Sequence, residues 1–380
     1  MIALARKTLL HEWRRFLPCI FAVGFSGVLL AMQAALVFGI FASAAIYVTA
    51  SSADIWVGYP GTQSVNFGRT IGPDVEMRIR MDPDIVAVER YQWVDGDWRS
   101  NAALAGGGVS IYLSGIDTAP RALMFSKILP AWQRLRLQEP GAVIVDKADL
   151  DSLATAEGET AWINGHRVHV VAAIEGLRGL GGANVLSSLT TAREIAGSDA
   201  APGSTYFVAA VRPGVDASVV SERLMQSPRI TFGRYEAWTA DAFANRSQRY
   251  WMFDTGAGAG VLFMAIVVCI VGAVVTSQSL RTVVIGSARE YAVLNALGVS
   301  RGALGRVVVE QSLWIGVLGF VLACVASGAL LLLAASYRVP VTINGPAVLA
   351  CGLLLAVLSL LSGLGAMRSV LRSDPAILLR

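Results

Sequence analysis

The sequence predicts a membrane α-helical protein: four transmembrane helices with an α+β extracytoplasmic domain inserted between the first and second spans. Three observations predict it: four long charge-free stretches, a basic bias in the short segments beside them, and one long insert of interspersed helix and strand patterns. Of the 380 residues, 54% are hydrophobic and only 15% charged, and the mean hydropathy is +0.57, well on the membrane side of ordinary globular composition. No Asp, Glu, Lys or Arg occurs between Arg15 and Asp54, between Asp254 and Arg281, between Glu310 and Arg338, or between Arg338 and Arg368. Each gap exceeds the roughly 20 apolar residues that cross a ~30 Å hydrocarbon core. A charge placed there costs about 2.5–3.5 kcal/mol on the insertion scale. Four gaps therefore argue for four spans.

In chain order, residues 1–15 form a cytoplasmic amphipathic segment, with Ile2, Leu4, Leu9, Leu10 and Trp13 among basic residues, suited to an inner-leaflet interface. Residues 16–48 make the first span. This stretch is far longer than the apolar core of a signal peptide, so it is read as retained and long enough to project as a stalk. Residues 49–254 make the outer domain. Within it, "VEMRIRMD" and "RVHVVAAIEG" alternate like strands, and "GAVIVDKADL" reads as a strand leading into a helix. "TAREIAG" and "DASVVSERLMQ" have helical patterns, and the glycines at 106–108 mark a turn. A second small lobe is expected between Pro120 and Pro140 or after Pro202. Span two covers 256–280, span three 308–336 and span four 347–367, the last beginning after the turn-like Asn344-Gly345-Pro346. Residues 368–380 are a cytoplasmic tail.

Charge sets the expected orientation. The N-terminal segment, the 281–310 stretch and the tail carry +3, +2 and +2, whereas the long insert carries −4. Basic short segments stay in the cytoplasm, so both termini lie inside and the insert outside. The basic balance thus concerns topology and gives no reason to expect nucleic-acid binding. All four cysteines, Cys19, Cys269, Cys324 and Cys351, fall in the spans, so the outer domain does not rest on disulfides.

Catalytic chemistry is hard to find. The only lysines are Lys7, Lys127 and Lys147, and none follows a phosphate-cradling glycine loop. "GAGAG" at 256–260 opens an apolar span, where small residues permit close helix packing. His166 and His169 point to opposite faces of a strand and lack a third ligand, so no metal site is expected. Asp82-Pro-Asp84 and Asp95-Gly-Asp97 are too sparse for a calcium loop and read as turns. His11, His166 and His169 offer no nucleophilic triad, leaving no catalytic residue to name. "GLRGLGGAN" at 176–184 reads as a surface loop with enough glycine to be mobile. The charge-free stretches of the spans offer no Asp, Glu, Lys or Arg for an ion path, which argues against an ion-coupled carrier.

The most informative stretch is the elbow at 281–307. "REYAVLNALGVSRGALGR" is structured and half-polar where a plain turn would be short and rich in Gly, Pro and Asn. Tyr291, Leu294 and Leu297 recur at i, i+3 along one helix face. Gly298 stands at a helix C′ position and Ser300 can cap the next helix, so the elbow reads as two short helices. Something outside the bilayer is expected to grip it.

With these features in place, the chain resembles the permease subunits of MacB/FtsX-type ABC transporters, closest to DevC-like permeases without a fused ATPase. Arg289-Glu290-Tyr291-Ala292-Val293-Leu294 followed by Ala296-Leu297-Gly298-Val299-Ser300 is similar to that family's "E-I-x-x-L-x-A-L-G-A-S" coupling segment, with Tyr291 where Ile is commoner. Asp374-Pro375-Ala376, ending in Leu379-Arg380, is similar to its "D-P-A-x-x-L-R" tail. "LSGID" at 113–117, "GAVIVDKADL" and "INGHRVHVVAAIEG" resemble outer-domain landmarks, whereas "LATAEGETAWING" departs from the usual "L-G-x-x-x-G-D". The resemblance implies a multi-pass protein of the bacterial plasma (inner) membrane that is not itself an enzyme. ATP and Mg would be bound by a partner ABC ATPase subunit, and Glu290, Tyr291, Leu294, Leu297, Gly298 and Ser300 would couple to it. It also implies a second permease copy, as a homodimer, and export by mechanotransmission with a membrane-fusion adaptor and an outer-membrane channel. Two alternatives stand beside this reading: an FtsX-like regulator of a cell-wall hydrolase, and a membrane-anchored enzyme or sensor, which leaves the elbow unexplained.

Overall fold

A computed structural model describes residues 13–100, 108–197, 203–226, 233–286, 301–336 and 345–371. It forms two compact units: Phe41–Ala257, and Met1–Ile40 together with Gly258–Arg380. Helix α1 (Trp13–Ser43) opens the description; the chain turns at Ala44–Ala45 and resumes as the single turn α2 (Ile46–Thr49), so the first helix breaks before the end of the expected stalk.

The unit Phe41–Ala257 is built on β1 (Ile55–Gly58), α3 (Pro73–Arg80), β2 (Ile85–Ser100), β3 (Val109–Ile116), α4 (Ala131–Arg136), β4 (Ala142–Asp146), β5 (Thr160–Ile163), β6 (His166–Ile174), β7 (Ala183–Ser188), α5 (Leu189–Ala196), β8 (Tyr206–Val211), α6 (Ala217–Met225), β9 (Glu236–Thr239) and α7 (Ala240–Arg249). Its strands form two connected arrays. The C-terminal half of β2 pairs with both β3 and β5, and β3-β7-β4-β6-β5 completes a closed six-stranded ring of mixed parallel and antiparallel pairs. The N-terminal half of β2 instead pairs with β8, giving the antiparallel sheet β2-β8-β1-β9. One 16-residue strand therefore belongs to both.

Period-two alternation fills the cores. Ile55 and Val57 on β1, with Phe207 and Ala209 on β8, face Val75 and Ile79 of α3 and Val220 and Leu224 of α6. Trp56, Tyr206, Val208 and Trp238 turn the other way, into a core with Tyr47, Tyr91, Phe125 and Phe243. Trp98, Ile111, Leu113, Val143, Val145, Val168 and Val170 fill the ring.

Three local expectations are overturned. "VEMRIRMD" is helical: Pro73 sits at the first helical position, Asp74 and Glu76 lie in the first turn, and Arg78 and Arg80 lie in the last. Its apolar residues bury at i, i+4, with Val75 and Ile79 inside and Met77 and Met81 out. Asp95-Gly96-Asp97 is the middle of β2, not a turn; a Cβ at Gly96 would lie 3.0 Å from Ile111 and Ile163, so the glycine lets the ring walls approach. After β4, "DKADL" continues as turns instead of a helix. By contrast, Asp82-Pro83-Asp84 is a turn, pinned by Arg223 at 2.7 Å from each carboxylate.

A π-helical turn, Tyr250–Asp254, leads from α7 to α8 (Ala257–Gly286), which is followed by α9 (Arg301–Ser336) and α10 (Gly345–Leu371). Among the described residues three helical stretches are long and apolar enough to cross a membrane: Phe16–Ser43, Gly258–Ser279 and Val309–Ala334. The apolar stretch Gly345–Leu361 on α10 is shorter. Small residues let α1 lie against α9: a Cβ at Gly319 would stand 2.5 Å from Val23, and one at Gly27 would stand 2.6 Å from Ala323 and 2.7 Å from Leu355. Ser359 on α10 donates to the Ser312 carbonyl on α9 at 2.7 Å. At "GAGAG", Gly256 and Gly260 have open space around them.

Candidate functional site

The coupling residues Glu290, Tyr291, Leu294, Leu297, Gly298 and Ser300 lie outside the described residues, as do Asp374 and Pro375 of the tail. The flanks of the elbow are described. Helix α8 runs on to Gly286 and α9 already begins at Arg301, so both ends of the 281–307 stretch belong to the long helices. Fourteen residues separate them. Both membrane-length helices thus run directly into the segment that carries the coupling motif.

The other informative place is where the chain enters the folded unit just after α1. Residues 45–52 pack under the 117–137 segment. The Ser52 amide donates to the Leu123 carbonyl at 3.0 Å, and the Lys127 amide to the Ala50 carbonyl at 3.1 Å. Lys127 Nζ donates to the Thr49 carbonyl at 3.0 Å. Ser51 Oγ donates to the Tyr47 carbonyl at 2.7 Å and accepts the Phe125 amide at 3.0 Å. Phe125 has φ +55°, a left-handed conformation costly for a bulky residue, held by that bond and by packing against Tyr47 and Tyr91.

Behind it sits Arg134, 1% exposed. Its Nη1 donates to the Asp117 carbonyl at 2.9 Å and its Nη2 to the Met124 carbonyl. Glu89 closes the segment from the β2 side, accepting the Leu123 amide at 2.6 Å and the Met124 amide at 3.4 Å. Burial pushes the Glu89 carboxyl up, against the pull of those two amides and the Arg134 charge, and burial lowers Arg134 in turn. Neither residue was singled out in the sequence. Their surroundings give no signal, since Glu89 adjoins Arg90 and Arg134 lies between Gln133 and Arg136; their place becomes meaningful only in the fold.

The 176–184 loop is seated. The Asp146 carboxylate accepts the Leu177 amide at 2.6 Å and the Arg178 amide at 3.0 Å, Asn66 donates to the Leu180 carbonyl at 3.3 Å, and Gly179 lies against Tyr47. His166 is exposed and His169 stands 3.3 Å from Glu139. Among the described residues no group of three or more His, Cys, Asp or Glu could hold a metal ion. A cavity of ≈ 230 Å³ in the membrane unit is lined by apolar and small residues, including Phe320, Ala323 and Leu355. This arrangement suits anchoring and packing; the described residues assemble no nucleophile with a base.

No curated protein matches the chain. Three solved structures are similar to part of it. The periplasmic region of MacB from Actinobacillus actinomycetemcomitans is 12% identical, over 52% of this chain and 94% of that one, with a TM-score of 0.36. The extracellular domain of the noncanonic ABC-type transporter YknZ from Gram-positive bacteria is 13% identical, over 48% and 98%, at 0.34. A domain of a putative permease protein from Porphyromonas gingivalis is 10% identical, over 51% and 91%, at 0.35. Residues 262–375 match the family described as FtsX-like permease C-terminal, a range that begins within α8, contains the whole coupling motif and ends at Pro375. Residues 262–375 are therefore similar to an FtsX-like permease C-terminal domain.

Proposed function

We propose that this chain is the permease subunit of a MacB/FtsX-type ABC transporter that takes up the motion of a separate ATPase subunit and passes it to its folded domain. The observation that carries this reading is the family match across 262–375, which contains the coupling motif. Helices α8 and α9 deliver the stroke to the 287–300 segment and receive it from there. In this reading α10 is the fourth span; its 27 residues measure about 40 Å at 1.5 Å each, enough to cross. The folded domain lies outside the cytoplasm, as the charge bias requires. A second copy covers part of α8, where Leu262, Phe263 and Ile270 are more than half exposed. The domain then works by moving, with a membrane-fusion adaptor and an outer-membrane channel carrying cargo onward. ATP and Mg reside in the ATPase.

The elbow decides the test. Leu294→Asp and Leu297→Asp each place a carboxylate on the face formed by Tyr291, Leu294 and Leu297, where desolvating an unpaired charge costs several kcal/mol. Both variants should insert normally yet lose co-purification of the ATPase and stimulation of its hydrolysis, whereas a charge swap at Glu290 should do less, an exposed pair being worth about 0–1 kcal/mol. Full ATPase binding by both leucine variants would remove the coupling reading.

A further inference from the structure

The π-helical turn Tyr250–Asp254 stands three residues before α8 in the chain. At no more than about 3.6 Å per residue, Asp254 is within about 11 Å of the helix start. The turn is clamped in place: Trp251 stacks on Phe67 at 6.0 Å and 24°, Tyr250 meets the same ring edge-on at 5.4 Å, and Trp251 Nε1 donates to Ser64 Oγ at 3.1 Å. Phe253 is 70% exposed and Phe67 47%. Rigid, half-open aromatic rings a few residues along the chain from a membrane-length helix are what a bilayer interface selects.

Beside this turn lie two adjoining hollows of ≈ 220 and ≈ 380 Å³ that share Gln63 and Tyr250. The first holds Arg69 and the second holds Arg246 and Arg249. Arg246 is committed to Glu236 at 3.1 Å. Arg69 and Arg249 are exposed and have no carboxylate partner among the described residues; Arg69 rests over the Tyr59 ring at 5.3 Å. Two guanidinium groups without a carboxylate partner among the described residues, in a concave aromatic surface on the turn that leads into α8, match a phosphodiester.

We propose that this groove holds the phosphate of a phospholipid headgroup, with Arg69 and Arg249 on the phosphate oxygens and Phe67, Tyr250 and Trp251 against the glycerol and upper acyl chain. The source is the membrane leaflet on the folded unit's own side. The occupant follows from continuity with α8, which rests on the helix crossing a membrane and not on the ATPase reading. Asp254, on the rim of the second hollow, can accept the ammonium of a zwitterionic headgroup, so the site reads the phosphate more than the net charge.

The test uses the full chain in detergent micelles, with native mass spectrometry reading retained lipid during titration with phosphatidylglycerol or with monogalactosyldiacylglycerol, which has two acyl chains but no phosphate. Phosphatidylglycerol should be retained in preference. The Arg69→Ala/Arg249→Ala double variant should weaken its apparent Kd about thirty-fold, the combined effect of two basic side chains beside an anionic surface. The double variant Arg121→Ala/Arg136→Ala, at other exposed arginines of the same unit, should leave retention unchanged. Equal retention of the phosphate-free lipid would overturn the proposal, as would an equal loss in the Arg121/Arg136 control. Wild-type retention by the Arg69/Arg249 variant, or full displacement of the lipid by excess inorganic phosphate, would overturn it as well.

Discussion

Replacing Arg134 with Met keeps the apolar stem of the side chain and removes the guanidinium with its charge and donors. Two carbonyls, of Asp117 and Met124, then lose charged partners, and Glu89 keeps the Leu123 and Met124 amides but loses the nearby positive charge that adds to their pull. Leaving a buried carbonyl without its donor costs about 1–3 kcal/mol. The Glu89 part has a ceiling, because the carboxyl can escape by taking a proton. Neutralising an acid of ordinary pKa ~4.3 costs about 3.7 kcal/mol at pH 7 and about 1 kcal/mol at pH 5. The folded value is already raised, so the stability tied to Glu89 is present at low pH and is lost as pH rises through that value. The damage from Arg134→Met must therefore grow with pH. Hydrogen exchange on the full chain in detergent reads it locally, at the amides of Ser52, Phe125 and Lys127 that tie residues 45–52 to the segment. A loss of about 3 kcal/mol means exchange about a hundredfold faster at pH 7. After correction for intrinsic rates, the effect should be much smaller at pH 5, and adding Glu89→Gln should restore part of the protection. Acceleration below about fivefold, or an equal effect at both pH values, would refute the reasoning.

Glu76 offers the opposite sign. Burial raises its carboxyl, but hydrogen bonds and charge from Arg80 and Arg90 outweigh that and hold it below the usual value; Glu76→Gln should lower Tm at pH 7, with the gap closing as pH falls below about 4. In the membrane unit Gly319→Val should push α1 from α9 and cost about 1–3 kcal/mol in detergent stability, whereas Gly328→Val, with open space around it, should be silent. For topology, in a background lacking the four native cysteines, an impermeant thiol reagent added outside should label Asp151→Cys, which is exposed, and not Ser300→Cys. The reverse pattern would invert the orientation.

The apolar helices were legible because a charge-free run is a one-dimensional signal, set by the bilayer and independent of any partner residue. Strands β4 and β6 were legible for a similar reason, since buried β-branched runs advertise themselves. The failures share a cause. Val75, Met77, Ile79 and Met81 fit both period two and i, i+4, and only the Pro73 start and the acid-first, base-last charge order distinguish them. Asp95-Gly96-Asp97 carries turn chemistry, but the glycine is required by Ile111 and Ile163, residues far along the chain. The closed ring and the Glu89–Arg134 pocket are also products of distant pairings, which periodicity does not register. The coupling residues were legible only by motif, and they lie where the structure offers no description to set beside it.

Strand β2 has a mechanical consequence. At about 3.3 Å per residue its 16 residues run for about 50 Å, one half closed into the ring and the other laced into the sheet. Bending the two lobes about each other means tearing ladder bonds on one strand or the other, because no flexible linker separates them there. Under the proposed function, a push entering beside α2 or at the Tyr250–Asp254 turn is not absorbed as a clamshell opening. It must tilt the whole body, as a rocker arm tilts, so displacement is largest at the end farthest from the push. Stiffness is the property that the shared strand gives this domain.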